Sequence, residues 1–166
     1  MAQIQVRPEE KVVITRIFDA PRGRVWRAWT EPDHLRRWWG PKGYTAPVAR
    51  VDLRVGGEYF SCMRSPEGKD ICGKGTFKEV TAPERLVVTD SFADEKGNIV
   101  SAAYYGMSPD WPRELLITVA LEEVGGKTRM TLTHSGLEGV SEKDREDMRH
   151  GWEESFDKLA QYLKEM

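Results

Sequence analysis

Between Lys11 and Phe18 the apolar positions alternate: Val12, Ile14 and Phe18 fall on one face and the more mixed Lys11, Val13, Thr15 and Ile17 on the other. A period near two in a β-branched run predicts a strand. The spacing then lengthens, with Val25, Ala28 and Trp29 recurring at helical intervals up to Thr30, behind a proline at position 21 that a first helical turn tolerates. Pro32 predicts a second short helix. Leu35, Trp38 and Trp39 share its face, and Gly40-Pro41 ends it.

From Tyr44 onward the period returns to two, and six further strands are expected over Thr45–Asp52, Gly57–Arg64, Asp70–Val80, Leu86–Phe92, Glu114–Val124 and Thr128–His134. Gly56-Gly57, Pro66-Glu67-Gly68, Ala82-Pro83 and Gly125-Gly126 punctuate them as turns. Short loops leave no room for parallel crossovers, so neighbouring strands form an antiparallel meander. The stretch Ala93–Arg113 is too long for a tight turn and holds Tyr104, Tyr105, Met107 and Trp111. It reads as a loop capping the core, a pocket lid or a dimer contact. Ser141 with Asp144 resembles a capping box, after which Met148, Trp152, Phe156, Leu159 and Leu163 form one stripe of a helix of about 24 residues. The class is α+β.

A chain of 166 residues fits one domain, of which roughly 70% of the unfolded surface is typically buried. The 39% hydrophobic and 31% charged residues are ordinary for a globular protein. No apolar run approaches the roughly 20 residues that span a bilayer, and Met1–Arg16 lacks the apolar core of a secretory signal. A soluble, cytoplasmic protein with no membrane partner is expected. Its net charge of -2 gives no electrostatic reason to expect nucleic acid. The charges are nonetheless segregated, with eight bases against three acids over Arg16–Arg50 and nine acids against five bases over Glu138–Glu165. That pattern suits two mutually attracting solvated faces or an anion-binding surface.

Glycine-rich phosphate loops and nucleophile elbows are absent, and Gly40-Pro41-Lys42-Gly43 is not a P-loop. His34, His134 and His150 are scattered over different elements, so neither metal nor other cofactor is expected. Cys62 and Cys72 are too few for a disulfide scaffold, and reduced thiols are expected. His134 lies in register with Met130 and Leu132, which gives it an interior position as a structural histidine, a polar ligand anchor or a general base. Six tryptophans are many for this length; they pack a core or line a pocket.

Phe18-Asp19-Ala20-Pro21 leading to Val25-Trp26-Arg27-Ala28-Trp29-Thr30, Trp38-Trp39-Gly40-Pro41-Lys42-Gly43-Tyr44, Gly56-Gly57 before the third strand, Leu132-Thr133-His134-Ser135-Gly136-Leu137 and Gly151-Trp152-Glu153-Glu154 stand out as local motifs. Together they resemble the family of homologues of the activator of heat-shock protein ATPase, a branch of the START-like (SRPBCC) helix-grip superfamily. The resemblance runs from about Val13 to Leu163. It implies a helix-grip fold: a curved antiparallel sheet of about seven strands around the C-terminal helix, with two short helices after the first strand. It also implies a cavity between sheet and helix that relatives use for apolar molecules. The co-chaperone that names the family joins such a domain to a chaperone-binding one, and that second domain is not expected here.

Binding of a small apolar molecule is the leading expectation, with Trp29, Trp39, Trp152 and Phe156 as aromatic lining and His134 as a polar contact. A hairpin turn near Glu67 pairs Met63 with Ile71, Ser61 with Gly73, Tyr59 with Gly75 and Gly57 with Phe77 on the face towards the last helix. It also sets Cys62 opposite Cys72 on the other face. The small centre of that first face signals either a sheet bend or an empty volume rimmed by Tyr59, Met63, Ile71 and Phe77. Ile117, Val119 and Met130 complete the expected lining. The alternatives are an enzyme acting on an apolar substrate through His134 or Asp90, and a chaperone accessory or homodimeric module.

Overall fold

The computed structural model describes residues 10–166, so the signal-peptide reading rests, for residues 1–9, outside the described residues. Strand β1 (Lys11–Phe18) buries Val12, Ile14 and Phe18 and exposes Val13 and Ile17, as its alternation requires. Helix α1 (Arg22–Thr30) follows, with Pro21 at its N-cap and Val25, Ala28 and Trp29 buried. Helix α2 (Pro32–Leu35) is shorter than its apolar pattern suggests. Trp38 explains this, because its indole N–H donates to the Ala28 carbonyl at 2.9 Å and turns the chain back over the end of α1. A side chain thus satisfies a carbonyl near the helix end, where backbone partners run out.

Strands β2 (Thr45–Val51), β3 (Glu58–Arg64), β4 (Asp70–Thr81), β5 (Arg85–Ala93), β6 (Leu115–Val124) and β7 (Lys127–Ser135) then form an antiparallel meander. β1 pairs with β7, giving a seven-stranded sheet in the order β1-β7-β6-β5-β4-β3-β2. The α1–α2 segment therefore carries the chain from one edge of the sheet to the other. Helix α3 (Glu142–Leu163) completes the fold, its first turn capped by Ser141 Oγ, which accepts the Asp144 N–H at 3.1 Å. Phe156, Leu159 and Leu163 on its apolar stripe are buried. No helix among the described residues is long and apolar enough to cross a membrane.

The segregated charges meet across this packing. Arg16 Nη2 lies 2.6 Å from Asp157 Oδ1, and Arg37 reaches Glu165 at 3.6 Å, so two bases of the early segment sit against acids of α3.

The register of β3 against β4 follows the expected pairing: Met63 faces Ile71, Ser61 faces Gly73 and Tyr59 faces Gly75. Cys62 faces Cys72 as expected, but the expectation of free thiols is corrected, because the two are joined in a disulfide. Directly opposed residues with Cα atoms 4.0 Å apart bring their sulfurs together, a local geometry that reasoning from cysteine count and compartment does not capture.

Both glycines of β4 face carbonyl oxygens of β5, Gly73 the more loosely, where a Cβ would lie 3.2 Å from that of Ser91. At Gly75 a Cβ would lie 1.7 Å from the Thr89 carbonyl oxygen and 2.6 Å from the Tyr59 ring, so only glycine fits where β5 crowds the strand. The β4–β5 register shifts just beyond, between Phe77 and Glu79. Gly75 thus serves the sheet bend and not an open volume.

Candidate functional site

A cavity of about 560 Å³ lies between the concave face of the sheet and the first half of α3. Tyr59, Ser61, Met63, Ile71 and Gly73 of β3 and β4 form its floor, with Asp90, Ser91 and Phe92 of β5 beside them. Met148, Gly151, Trp152 and Ser155 of α3 form the roof. Two irregular segments close the sides: Trp39, Gly40, Pro41 and Tyr44 after α2, and Met107, Ser108, Trp111 and Pro112 before β6.

Both side walls are fastened to regular structure. Lys158 of α3 sends its Nζ into the first, 3.0 Å from the carbonyl oxygens of Gly40 and Tyr44 and 3.4 Å from that of Pro41. Burial lowers the pKa of this lysine, against the opposing charge of Glu154. The second wall is held by Tyr105, in a 3-10 turn over Ala102–Tyr105. Its hydroxyl accepts the Cys72 N–H at 3.1 Å and donates to the Ala93 carbonyl, bridging β4 and β5 where the Cys72 backbone faces Ala93.

Four polar side chains of the cavity form one chain. The Trp152 indole N–H donates to His134 Nδ1 at 3.1 Å, His134 Nε2 lies 3.0 Å from Asp90 Oδ2, and the Tyr59 hydroxyl donates to Asp90 Oδ1 at 2.7 Å. An indole N–H only donates, so Nδ1 is the bare nitrogen of a neutral ring and Nε2 carries the proton. The Nε2–H meets Oδ2 obliquely: the distance is short, but the alignment falls short of a straight hydrogen bond. Burial pushes the Asp90 carboxyl up, yet the contact with His134 and the Tyr59 hydroxyl outweigh it and hold it below its ordinary value. Tyr59 moves the other way. Burial, then the Asp90 charge and the hydrogen bond to it, raise its phenol well above the usual range. The result is an ionised carboxylate held between the Tyr59 phenol and the His134 ring.

Of the residues expected to contact ligand, the cavity brings together Trp39, Tyr59, Ser61, Met63, Ile71, His134 and Trp152. Trp29, Phe77, Ile117 and Val119 lie deeper, around a void of about 30 Å³. Met130 and Phe156 are fully buried core residues, Met130 under the Trp29 indole N–H at 3.3 Å and Phe156 stacked on Trp152 with ring centres 5.4 Å apart. These six back the wall instead of lining the main cavity. Met107 and Trp111 belong to the Ala93–Arg113 segment, expected as a core cap, a pocket lid or a dimer contact, and they border the cavity; Met148, which in sequence reads only as one more residue of the helix stripe, borders it too. Asp90 carried a usable signal, a carboxylate inside the apolar run Leu86-Val87-Val88-Thr89-Asp90. Among the described residues, no group of three or more His, Cys, Asp or Glu side chains is placed to hold a metal ion.

Comparison with known proteins places this architecture. A solution structure from Arthrobacter aurescens is 30% identical, covers 95% of this chain and 88% of its own, and superposes with a TM-score of 0.80. A crystal structure from Nitrosomonas europaea is 28% identical over 96% of this chain and 97% of its own, with a TM-score of 0.79. The AHSA1 protein of Silicibacter pomeroyi, 23% identical, shares the fold over 93% of this chain and 97% of its own at a TM-score of 0.74. No curated protein matches the chain. The profile described as "Activator of Hsp90 ATPase homolog 1-like protein" matches residues 19–164, and the chain belongs to that family, within the START-like superfamily.

Proposed function

We propose that the protein binds a small, largely apolar molecule in the cavity between sheet and α3. The observation that carries this reading is the division of the wall. Trp39, Met63, Ile71, Met107, Trp111 and Met148 offer apolar surface, while the Trp152–His134–Asp90–Tyr59 chain gathers hydrogen-bonding groups on one side. Burying apolar ligand surface contributes roughly 25 cal/mol per Å², and a single polar cluster then orients the ligand. Trp29, Phe77, Ile117, Val119, Met130 and Phe156 support this by keeping the wall rigid.

A catalytic reading through His134 has less support. Its Nδ1 already accepts the Trp152 N–H and its Nε2 is turned to Asp90, so neither nitrogen is left to take a proton from a substrate. A chaperone accessory role rests on the family's name alone.

Native mass spectrometry of freshly purified protein, joined to titration with a panel of neutral apolar compounds, tests the proposal. A co-purifying small molecule, or tryptophan quenching accompanied by a raised melting temperature, is expected. A broad panel producing neither quenching nor stabilisation would sink it.

A further inference from the structure

The charge inside the cavity is one-sided. Its lining includes the carboxylates Asp90, Asp144 and Asp147 and contains no lysine or arginine. The two outer acids are partly answered already: Asp147 pairs with Lys143 at 2.9 Å, and Asp144 sits in the first turn of α3, where the helix dipole favours negative charge. Lys158, beneath the Trp39–Tyr44 wall, is committed to backbone carbonyls.

Asp90 differs from the other two. Its side chain is 27% accessible and lines the cavity, the Tyr59 hydroxyl is the side chain that donates a hydrogen bond to it, and the His134 ring, whose Nδ1 accepts the Trp152 N–H, meets it only obliquely. A carboxylate offers about four acceptor positions, of which Tyr59 takes one and the oblique His134 contact part of another. A largely buried carboxylate with acceptor positions left open is costly unless a donor carrying a counter-charge joins it.

We propose that the cavity's ligand is an apolar molecule bearing a protonated amine, whose ammonium group meets Asp90 while its apolar body lies against Trp39, Met63, Trp111 and Met148. This rests on the binding function proposed above and names the chemical class of the ligand. Organic acids of the same shape are rejected, since their carboxylate would face Asp90 with no cation to receive it.

Three probes with one apolar body separate the outcomes: naphthalen-2-ylmethanamine, naphthalen-2-ylmethanol and 2-naphthoate, each titrated into the full chain at neutral pH and followed by tryptophan quenching. The amine is expected to bind tightest, and at least 10-fold tighter than the carboxylate. Asp90→Asn should remove most of the amine's advantage over the alcohol while the alcohol still binds. Equal binding of all three, or a preference for the carboxylate, overturns the ligand class and leaves the binding function standing. Binding of none overturns both. An unchanged amine preference in Asp90→Asn also overturns the assignment, and should that variant fail to fold, the ranking by the unaltered protein decides.

Discussion

The Trp152 indole donates its only hydrogen to Nδ1 of His134, 3.1 Å away, across the gap between α3 and β7. That bond assigns the ring's tautomer and ties the roof of the cavity to its floor. Trp152→Phe keeps an aromatic ring against Phe156 and Trp39 but removes the donor. Stability should fall by about 1 to 2 kcal/mol, the usual consequence of leaving a buried acceptor unpaired. Nitrogen-15 chemical shifts of His134 check the assignment at the same time. The unaltered protein should show the proton on Nε2 alone, and Trp152→Phe should mix the tautomers.

The Tyr59–Asp90 pair predicts stability limits at both ends of the pH scale. Asp90 has a folded pKa below its unfolded value of about 4, so its contribution is present above that value and is lost as pH falls through the lower folded one. Tyr59 has a folded pKa above its unfolded value of about 10. Its contribution is therefore present below pH 10 and lost as pH rises towards the folded value. Urea midpoints measured across pH should be limited by these losses at acid and alkaline extremes. Tyr59→Phe should flatten the alkaline limb and Asp90→Asn the acid limb; unchanged limbs in both variants would contradict the assignment.

Ser61 and Gly75 make opposite predictions although they lie two registers apart on the same face of the β3–β4 pair. Ser61 borders the open cavity, so Ser61→Phe should fill space, leaving the melting temperature unchanged or higher while weakening ligand binding. In a tightly packed core that change would typically cost about 1 to 3 kcal/mol. Gly75→Ala should reach or exceed that cost, because its Cβ would fall 1.7 Å from the Thr89 oxygen. Thermal melts of the two variants, with quenching titrations for Ser61→Phe, decide whether the volume lies where the structure puts it.

Those two positions also show what was legible in the chain. Period-two alternation and the Pro66-Glu67-Gly68 turn placed Ser61 opposite Gly73 correctly, because a slip by one residue would send Met63 and Ile71 to the other face. The same reasoning could not tell how hard each glycine is pressed, since a Cβ would lie 3.2 Å from the Ser91 oxygen at Gly73 and 1.7 Å from the Thr89 oxygen at Gly75. The aromatic expectation divided in a similar way. Helical spacing identified Trp29 and Phe156 as inward-facing but not their depth, so they pack behind Trp39 and Trp152, which do border the cavity. The Asp90–His134 contact joins β5 to β7 across β6, and no local pattern records a pairing at that separation.

Lys158 holds a cavity wall that has no regular structure of its own. Its ammonium has three hydrogens and lies within 3.0 Å of the Gly40 and Tyr44 carbonyl oxygens, with Pro41 and Trp39 at 3.4 and 3.5 Å to share the third. These carbonyls converge on one point, which suits a compact cation. Lys158→Met preserves much of the side chain's apolar stem and leaves the carbonyls without their donor, which should cost about 1 to 3 kcal/mol. Lys158→Arg should recover little of this, because a planar guanidinium spreads its donors into a fork. The loss should also be local. Amide exchange should quicken over Trp39–Tyr44 in both variants while the β6–β7 ladder keeps its protection, and the dissociation rate of a cavity-bound probe should rise with it. Uniform loss of protection across the sheet would instead make Lys158 a general stabiliser of α3, with no particular hold on the cavity wall.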